Sequence, residues 1–213
     1  MKQILFDLDG TLTDSGEGII NCAQKALEFF QLPVPSKEEL RVIVGPPLRQ
    51  SLVKFGVPEE KVAEAITVYR KHYLEHGKFE NFPYPGIEQL LQQLKADGHA
   101  LYVATSKPES MSIEILEHFG LAKYFDLICG AASDTSRETK EKVIQYLLDQ
   151  ISPIPGSMVM VGDTIFDIEG ANALHLPAIG VAWGYGVVQD MINAGAIGIA
   201  HSMDQLYTLI NQF

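Results

Sequence analysis

Cysteine is scarce in this sequence, which excludes several kinds of small scaffold. The 213 residues include two cysteines, Cys22 and Cys129, which lie far apart and form no Cys-x-x-Cys pair. A disulfide framework or a zinc knuckle needs more cysteines at closer spacing. We therefore predict two buried thiols that contribute to packing.

Positive charge is also in short supply. Sixteen lysines and arginines stand against 27 aspartates and glutamates, so the formal net charge is −11. The basic residues form no cluster, which argues against a nucleic-acid backbone or an anionic membrane surface as a partner. A small anionic substrate is compatible with this charge if a metal ion and a few local cations collect it.

Long apolar runs are missing as well. The N-terminal apolar run ends at Asp7 and is too short for a signal peptide, and no segment approaches the length of a membrane span. We therefore expect a cytoplasmic protein. A chain of 213 residues suits one large domain or a core with an insertion, and internal repeats and low-complexity segments are absent.

The order of strand and helix patterns indicates an α/β protein. From Pro85 onwards, short buried strands alternate with amphipathic helices, which is typical of a doubly wound parallel sheet of Rossmann-like type. Before this region, residues 15–82 carry helical spacing interrupted by prolines and ending near Gly77. We predict an α/β core formed by residues 1–14 and 83–213, with an inserted all-helical module, residues 15–82.

The first predicted strand ends in two carboxylates, a glycine and a hydroxyl: Asp7, Asp9, Gly10 and Thr11. Open α/β sheets bind ligands at the carboxyl ends of their strands. Two carboxylates in a small volume repel each other, which favours a bound cation or one protonated member. Gly10 lets backbone N–H groups approach an anion closely. Taken alone, the motif also fits a strand followed by an ordinary Asx-type turn.

Two further strand ends carry polar side chains. Thr105 and Ser106 follow one buried strand, and Asp163 and Asp167 follow another. Because the ends of parallel strands open on the same edge of a sheet, these residues converge with the first pair of carboxylates. Oxygen ligands without histidine or cysteine favour Mg²⁺ over Zn²⁺. Lys140, which we predict to open a helix of a neighbouring unit, supplies a fixed positive charge.

This set of groups suits phosphoryl transfer. Asp7 is the predicted nucleophile, attacking in line while Mg²⁺, Lys140, Thr105 and loop amides stabilise the equatorial oxygens. Asp9 is predicted to protonate the leaving oxygen and then to deprotonate the water that hydrolyses the aspartyl phosphate. The predicted activity is that of a Mg²⁺-dependent phosphomonoesterase acting on a small phosphorylated metabolite.

The motifs also resemble those of the haloacid dehalogenase superfamily, in order and in separation. They are Asp7-Leu8-Asp9-Gly10-Thr11, Thr105, Lys140 and Gly162-Asp163-x-x-x-Asp167. The resemblance covers essentially the whole chain, and the inserted helical module matches the position of a cap domain. Within the superfamily the chain is similar to the phosphoglycolate phosphatase-like group, while residues 137–144 resemble 5′-nucleotidase-like and pyrophosphatase members.

The resemblance implies a role for each motif. Asp7 would be the nucleophile and Asp9 the acid/base. Phosphate ligands would be Thr105 and Lys140, with Gly10, Thr11 and Ser106 beside them. Asp7, the Asp9 carbonyl and Asp163 would bind Mg²⁺, and Asp167 would support the metal directly or through water.

Two assignments stay open at this point. Arg137 competes with Lys140 for the role of the cation, and we favour Lys140 because it opens a helix. In the cap, Gly45-Pro46-Pro47 is a rigid turn followed by Arg49. Pro46 and Arg49 are candidates for residues that contact the leaving group and so select the substrate. An exposed arginine after a helix break explains the same pattern.

Other activities fit parts of this pattern. A 5′-nucleotidase, a pyrophosphatase or a sugar phosphomutase would use the same catalytic residues, and dehalogenation is disfavoured because only phosphoryl chemistry requires Asp9. A signalling receiver domain has an acidic Mg²⁺ site but lacks the large insertion. His72 to His76 matches the H-x-x-E-H zinc pattern without a third ligand, so we predict no zinc site. A monomer and a homodimer are both compatible with the sequence.

Overall fold

The computed structural model describes residues 1–46, 48–132, 134 and 136–213. Pro47, part of the predicted cap turn, lies outside the described residues. The chain divides into two compact units: Met1–Thr13 with Pro83–Phe213, and Asp14–Phe82. The second unit thus begins at Asp14, one residue before the boundary predicted from the sequence.

Eight strands occur in the described residues. They are β1 (Gln3–Phe6), β2 (Thr13–Asp14), β3 (Phe82–Pro83), β4 (Ala100–Pro108), β5 (Leu127–Ala131), β6 (Met158–Gly162), β7 (Ala178–Val181) and β8 (Gly198–Ala200). Six of them form one sheet in the order β5-β4-β1-β6-β7-β8, with every neighbouring pair parallel. The short strands β2 and β3 pair with each other in a separate two-stranded sheet.

Ten α-helices accompany the strands in the described residues. They are α1 (Gly16–Phe29), α2 (Lys37–Leu40), α3 (Leu48–Lys54), α4 (Val62–Glu75), α5 (Ile87–Ala96), α6 (Glu109–His118), α7 (Lys140–Gln150), α8 (Ile165–Ala173), α9 (Val188–Asn193) and α10 (Met203–Gln212). The two longest, α1 and α4, have 14 residues each. No helix in these ranges has the length and apolarity needed to cross a membrane.

The first unit buries its sheet on both faces. All four residues of β1 are buried, as expected for a central parallel strand. On one face, α5, α6 and α10 contribute Leu90, Ile115 and Leu206 to a core that includes Phe6. On the other, α7, α8 and α9 contribute buried residues to a core that includes Leu5. The predicted doubly wound α/β fold is therefore confirmed.

The second unit is helical, with its longest helices, α1 and α4, packed together. Gly18 allows a close approach here, because a Cβ at this position would overlap the carbonyl of Gly77. The three-residue spacing of Ser36 and Glu39 predicts a capping box, and the structure has one at the start of α2. The sequence also predicts that Ser15 caps α1; this prediction is wrong, since the Ser15 side chain makes no capping hydrogen bond.

Candidate active site

The carboxyl ends of three adjacent strands bring the predicted site residues together. The last residue of β1 pairs with Val103 of β4 and with Val161 of β6. The ladder continues for one more residue, since the Asp7 N–H donates to the Val161 carbonyl at 2.9 Å. Thr105 and Asp163 therefore lie at the same edge of the sheet as Asp7, and all three are buried.

Three buried carboxylates form the centre of the site. Asp7, Asp163 and Asp167 each place an oxygen within 4.8 Å of the other two. Within the described part of the chain, this is the only such group of three or more Asp, Glu, His or Cys side chains. Three negative charges at this separation repel each other strongly away from water, and carboxylate oxygens suit a hard cation. The donor set therefore fits a divalent metal ion.

Lys140 provides the positive charge at the centre of this cluster. As predicted, it is the first residue of α7. Its ammonium lies 2.7 Å from Asp7 Oδ1 and 2.7 Å from Asp167 Oδ1, and it donates to the Ala104 carbonyl at 3.0 Å. Burial lowers the pKa of Lys140, but the Asp167 and Asp7 carboxylates outweigh this effect and leave that pKa above its ordinary value. The lysine is therefore a permanent cation.

The pKa values of the carboxylates follow from this balance. Burial raises the pKa of Asp7 to about 6, against the opposing attraction of Lys140. Burial also raises the pKa of Asp163 well above its ordinary value, and the charges of Asp167 and Asp7 add to this effect. One lysine does not neutralise three carboxylates, so the site carries a negative excess that a bound cation would relieve.

Asp163 is held from several sides. Its Oδ1 accepts from the Thr11 hydroxyl at 3.3 Å, and its Oδ2 accepts from the Tyr185 N–H at 2.8 Å. A Cβ at Gly10 or at Gly184 would overlap this carboxylate, so glycine at both positions makes room for it. Gly10 also has a φ of 85°, in the left-handed region that favours glycine. Two distant loops therefore fix one carboxylate.

Asp167 joins the cluster of three carboxylates to the start of α8. Its Oδ2 accepts from the backbone N–H and the hydroxyl of Thr164, at 3.0 and 2.8 Å. Its other oxygen faces Lys140. Asp163 thus lies just before the N-cap Thr164, while Asp167 is in the first turn of α8, where its bonds to Thr164 orient it.

The predicted phosphate-binding residues fall into different environments. Thr105 is buried beside Asp7, whereas Ser106 is exposed. Thr11 is fully buried and directs its hydroxyl to Asp163. The Gly10 N–H donates to the Thr13 carbonyl at 2.8 Å. The Gly10 N–H is thus hydrogen-bonded within its own turn. Gly10 contributes to the site because its lack of a side chain leaves room for the Asp163 carboxylate.

Arg137 does not share the position of Lys140. Its guanidinium pairs with Glu109 at 2.8 Å and donates through Nε to the Gly130 carbonyl at 2.7 Å. The same group lies over the ring of Tyr146, 3.6 Å from the ring centroid. These contacts tie a loop to β5 and α7, while Lys140 contacts the central carboxylates.

Asp9 stands apart from the cluster of three carboxylates. Its Oδ2 lies 2.7 Å from the ammonium of Lys107, a residue that sequence reasoning did not single out. Thr164, Trp183 and Tyr185 were missed as well. The Trp183 indole donates to the Thr11 carbonyl at 3.2 Å, next to the bonds that hold Asp163. A sequence signal existed for these residues, since each follows a predicted strand end by only a few positions.

The two cap candidates belong to the second unit, and both are exposed. Arg49 pairs with Glu59 at 2.6 Å, on the same helical unit. His72 and His76 lie near the end of α4, with ring centroids 5.1 Å apart. In the described residues they form no group of three with another potential ligand, so they offer fewer ligands than a zinc site uses.

Fold and site together define an α/β enzyme with an acidic, lysine-containing site at the carboxyl edge of a parallel sheet. A family model described as haloacid dehalogenase-like hydrolase matches residues 4–181. The chain therefore belongs to the haloacid dehalogenase-like hydrolase family, and the resemblance seen in its motifs is confirmed.

Similar proteins carry several names. The chain is 40% identical over 205 residues to tyrosine-protein kinase PtkA of Mycobacterium tuberculosis, covering 95% of this chain and 70% of that protein. It is 40% identical over 189 residues to a 5′-nucleotidase of Pseudomonas aeruginosa, covering 88% and 86%. It is 34% identical over 186 residues to a phosphoglycolate phosphatase of Aquifex aeolicus, covering 87% and 86%.

A solved structure is similar over the full length of the chain. The crystal structure of a predicted phosphatase from Clostridium acetobutylicum is 43% identical, with a TM-score of 0.92, and covers 100% of this chain and 99% of that one. Family, relatives and structure together identify the chain as an enzyme, a phosphatase-type hydrolase of this family.

Proposed function

We propose that this protein is a Mg²⁺-dependent phosphomonoesterase that works through an aspartyl phosphate on Asp7. One observation carries the proposal. The buried Asp7 carboxylate lies 2.7 Å from the Lys140 ammonium and within 4.8 Å of two further carboxylates, a set of oxygens that suits a divalent cation. Such a site holds an anionic nucleophile and the means to neutralise an incoming phosphoryl group in one place.

The proposed reaction has two steps, phosphorylation of Asp7 and hydrolysis of the aspartyl phosphate. An Asp7 oxygen forms a bond to phosphorus while the bond from phosphorus to the leaving oxygen breaks. Lys140 and the Thr105 hydroxyl stabilise the phosphoryl oxygens, and Asp9 gives its proton to the leaving oxygen. Asp9 then removes a proton from the water that attacks the aspartyl phosphate, which releases inorganic phosphate and restores Asp7.

The metal would be held by Asp7, Asp163 and the Asp9 carbonyl, with Asp167 in support. When bound, it supplies positive charge to the phosphoryl oxygens and offsets the repulsion between the carboxylates. The donors are all oxygens, which supports Mg²⁺ over Zn²⁺.

The proposed substrate is a small phosphorylated metabolite. Phosphoglycolate is the first candidate, because a relative 34% identical to this chain is named phosphoglycolate phosphatase. A nucleoside 5′-monophosphate is the second, because a relative 40% identical is named 5′-nucleotidase. We also propose that Pro46 and Arg49 of the second unit contribute to the choice of leaving group, since both are exposed and Arg49 is a cation.

Phosphate release across a panel of substrates tests the proposal. The panel contains phosphoglycolate, nucleoside 5′-monophosphates, pyrophosphate, sugar phosphates, phosphotyrosine and p-nitrophenyl phosphate, each assayed with Mg²⁺ and with EDTA. We expect Mg²⁺-dependent turnover of at least one small phosphoester, and a loss of at least about 10³-fold in Asp7→Asn. Asp190→Asn, at an exposed position on α9, is the matched control.

Three results would contradict the proposal. Turnover of Asp7→Asn at the wild-type rate would exclude the covalent intermediate. Isomerisation of a sugar phosphate without lasting phosphate release would indicate a mutase. A stable phosphoryl group on Asp7 without turnover would indicate a receiver-like protein.

A further inference from the structure

The first unit contains an ion pair between Lys107 and Asp9, in which the proposed mechanism gives Lys107 no role. The Lys107 ammonium lies 2.7 Å from Asp9 Oδ2, and the two side chains are 7% and 24% exposed. Ion pairs on a protein surface contribute little, but a shielded pair at hydrogen-bonding distance restricts both side chains. The pair joins β4 to the loop that follows β1, across 98 positions of sequence.

The backbone of Lys107 is itself held in place. Between its paired residues Ala104 and Pro108, β4 has three residues where its neighbour β5 has one, between Cys129 and Ala131. Irregularities of this kind re-aim side chains and occur often beside active sites. The Lys107 N–H donates to the Thr105 hydroxyl at 3.2 Å, so the residue that reaches Asp9 also contacts the proposed phosphate ligand.

The neighbouring strand β5 also holds the backbone of Lys107 in place. A Cβ at Gly130 of β5 would overlap the Lys107 carbonyl and the Glu109 backbone. Only a glycine lets β5 pack this closely against the irregular part of β4. The backbone that carries Lys107 is therefore closely packed against β5.

The two oxygens of Asp9 differ in their surroundings. Oδ2 is held by Lys107, whereas Oδ1 is buried and has no hydrogen-bond partner among the described residues. Buried carboxylate oxygens are seldom left unpartnered, because the lost solvation is costly. Oδ1 is thus a buried acceptor with room for a partner from outside the described residues.

We propose that Lys107 is a positioning residue for Asp9: it anchors Oδ2 and so directs Oδ1 to the leaving oxygen of the substrate. This inference rests on the proposed function, in which Asp9 is the acid/base. In the first step the bond from Oδ1 to its proton breaks as the proton bonds to the departing oxygen. The remaining carboxylate keeps its pairing with Lys107.

Leaving-group dependence separates this role from a structural one. Proton donation matters most for a poor leaving group such as an alkoxide, and least for p-nitrophenolate, which departs unprotonated. The value of kcat/KM covers the steps up to release of the leaving group, so it isolates Asp7 phosphorylation from later hydrolysis. It is measured with Mg²⁺ on the full chain for p-nitrophenyl, phenyl and alkyl phosphates.

The test compares Lys107→Met, Lys107→Arg and a control, Lys123→Met. Lys123 forms an exposed ion pair with Glu88 in the same unit, so its variant makes the same chemical change away from Asp9. For Lys107→Met we expect kcat/KM to fall about 10²-fold with alkyl phosphate and less than about fivefold with p-nitrophenyl phosphate. Lys107→Arg should recover part of the loss, and Lys123→Met should match the wild type.

A double-mutant cycle completes the test. If Lys107 acts through Asp9, adding Lys107→Met to Asp9→Asn should produce no further loss with alkyl phosphate. Equal losses for all leaving groups, no loss, or additive losses in the double variant would each overturn the positioning role. Should Lys107→Met fail to fold, as judged by its thermal transition, Lys107→Gln and Lys107→Arg replace it.

The outcome is distinguishable from a failure of the proposed function. If the wild-type enzyme shows no Mg²⁺-dependent phosphorylation of Asp7, the proposed function fails. If it does, and the variants lack the leaving-group effect, only the assignment of Lys107 fails.

Discussion

The ammonium nitrogen of Lys140 lies 2.7 Å from Oδ1 of Asp7, and the two side chains are 4% and 11% exposed. Both charges have lost most of their water, so each depends on the other for stabilisation. Removing either one leaves a buried charge without its partner, which costs far more than breaking a surface ion pair. This dependence underlies the first prediction.

Lys140→Met should lose both activity and stability, whereas Arg137→Met should keep most of its activity. Loss of the lysine removes a cation from the phosphoryl site, which we expect to lower kcat about 10²- to 10³-fold. It also leaves Asp7 and Asp167 unpaired, at a cost of about 3–5 kcal/mol. Phosphatase assays and denaturant unfolding measure the two effects. An equal activity loss in Arg137→Met would contradict the assignment of the cation.

Mg²⁺ should raise the melting temperature of the wild-type protein relative to EDTA. A ligand at about 100 times its dissociation constant adds about 2.7 kcal/mol of stability. For a chain of this size that corresponds to a shift of about 5–10 °C. Asp163→Asn should abolish the shift, while Glu169→Gln, an exposed acid on α8, should keep it. An undiminished shift in Asp163→Asn would place the metal elsewhere.

The stability of the metal-free protein should fall as pH rises from about 4 to about 6. The pKa of Asp7 is raised from 3.8 to about 6, so the folded state holds a proton that the unfolded state has already released. The stability from this protonated carboxyl is present at low pH and lost as pH rises through the folded pKa. We expect a contribution on the order of 1–3 kcal/mol.

Asp7→Asn is the control for this pH dependence, because it cannot ionise. Denaturant unfolding in EDTA should show a shallower fall in stability for this variant. A fall of the same size in both proteins would contradict the raised pKa of Asp7. Mg²⁺ should also bind the wild type more weakly below about pH 6, because the ion then displaces a proton from its ligand.

Gly10→Ala should weaken metal binding, and Gly98→Ala should not. Both glycines have left-handed φ values, 85° and 80°, so both substitutions carry a backbone cost of about 1–2 kcal/mol. Only at Gly10 would the new Cβ overlap the Asp163 carboxylate, whereas nothing lies within 4 Å at Gly98. We expect about a 10- to 100-fold loss of Mg²⁺ affinity in Gly10→Ala. This is the typical effect of changing a residue that holds a metal ligand in place. Calorimetric titration measures it, and equal affinities in the two variants would contradict this role for Gly10.

Much of the fold was predictable from local patterns. The N-terminal strand is apolar on both faces, so it had to be central in a parallel sheet, and β1 lies between β4 and β6. The polar residues that follow three strands had to meet at one edge, because parallel strands end on the same side. Asp7, Thr105 and Asp163 are at that edge for this reason.

Local sequence patterns were thus enough to predict the fold class, the edge that carries the site and the kinds of group found there. Which of these groups contact each other follows from the packing of the folded chain. This packing separated Lys140 from Arg137, paired Lys107 with Asp9, and assigned Gly10 to the Asp163 carboxylate. The physical reason is separation along the sequence. Hydrophobic periodicity shows which face of its own helix or strand a residue occupies, whereas each of these contacts joins elements that are distant in sequence. Their geometry is set by packing and by an irregularity in β4, which no local pattern encodes.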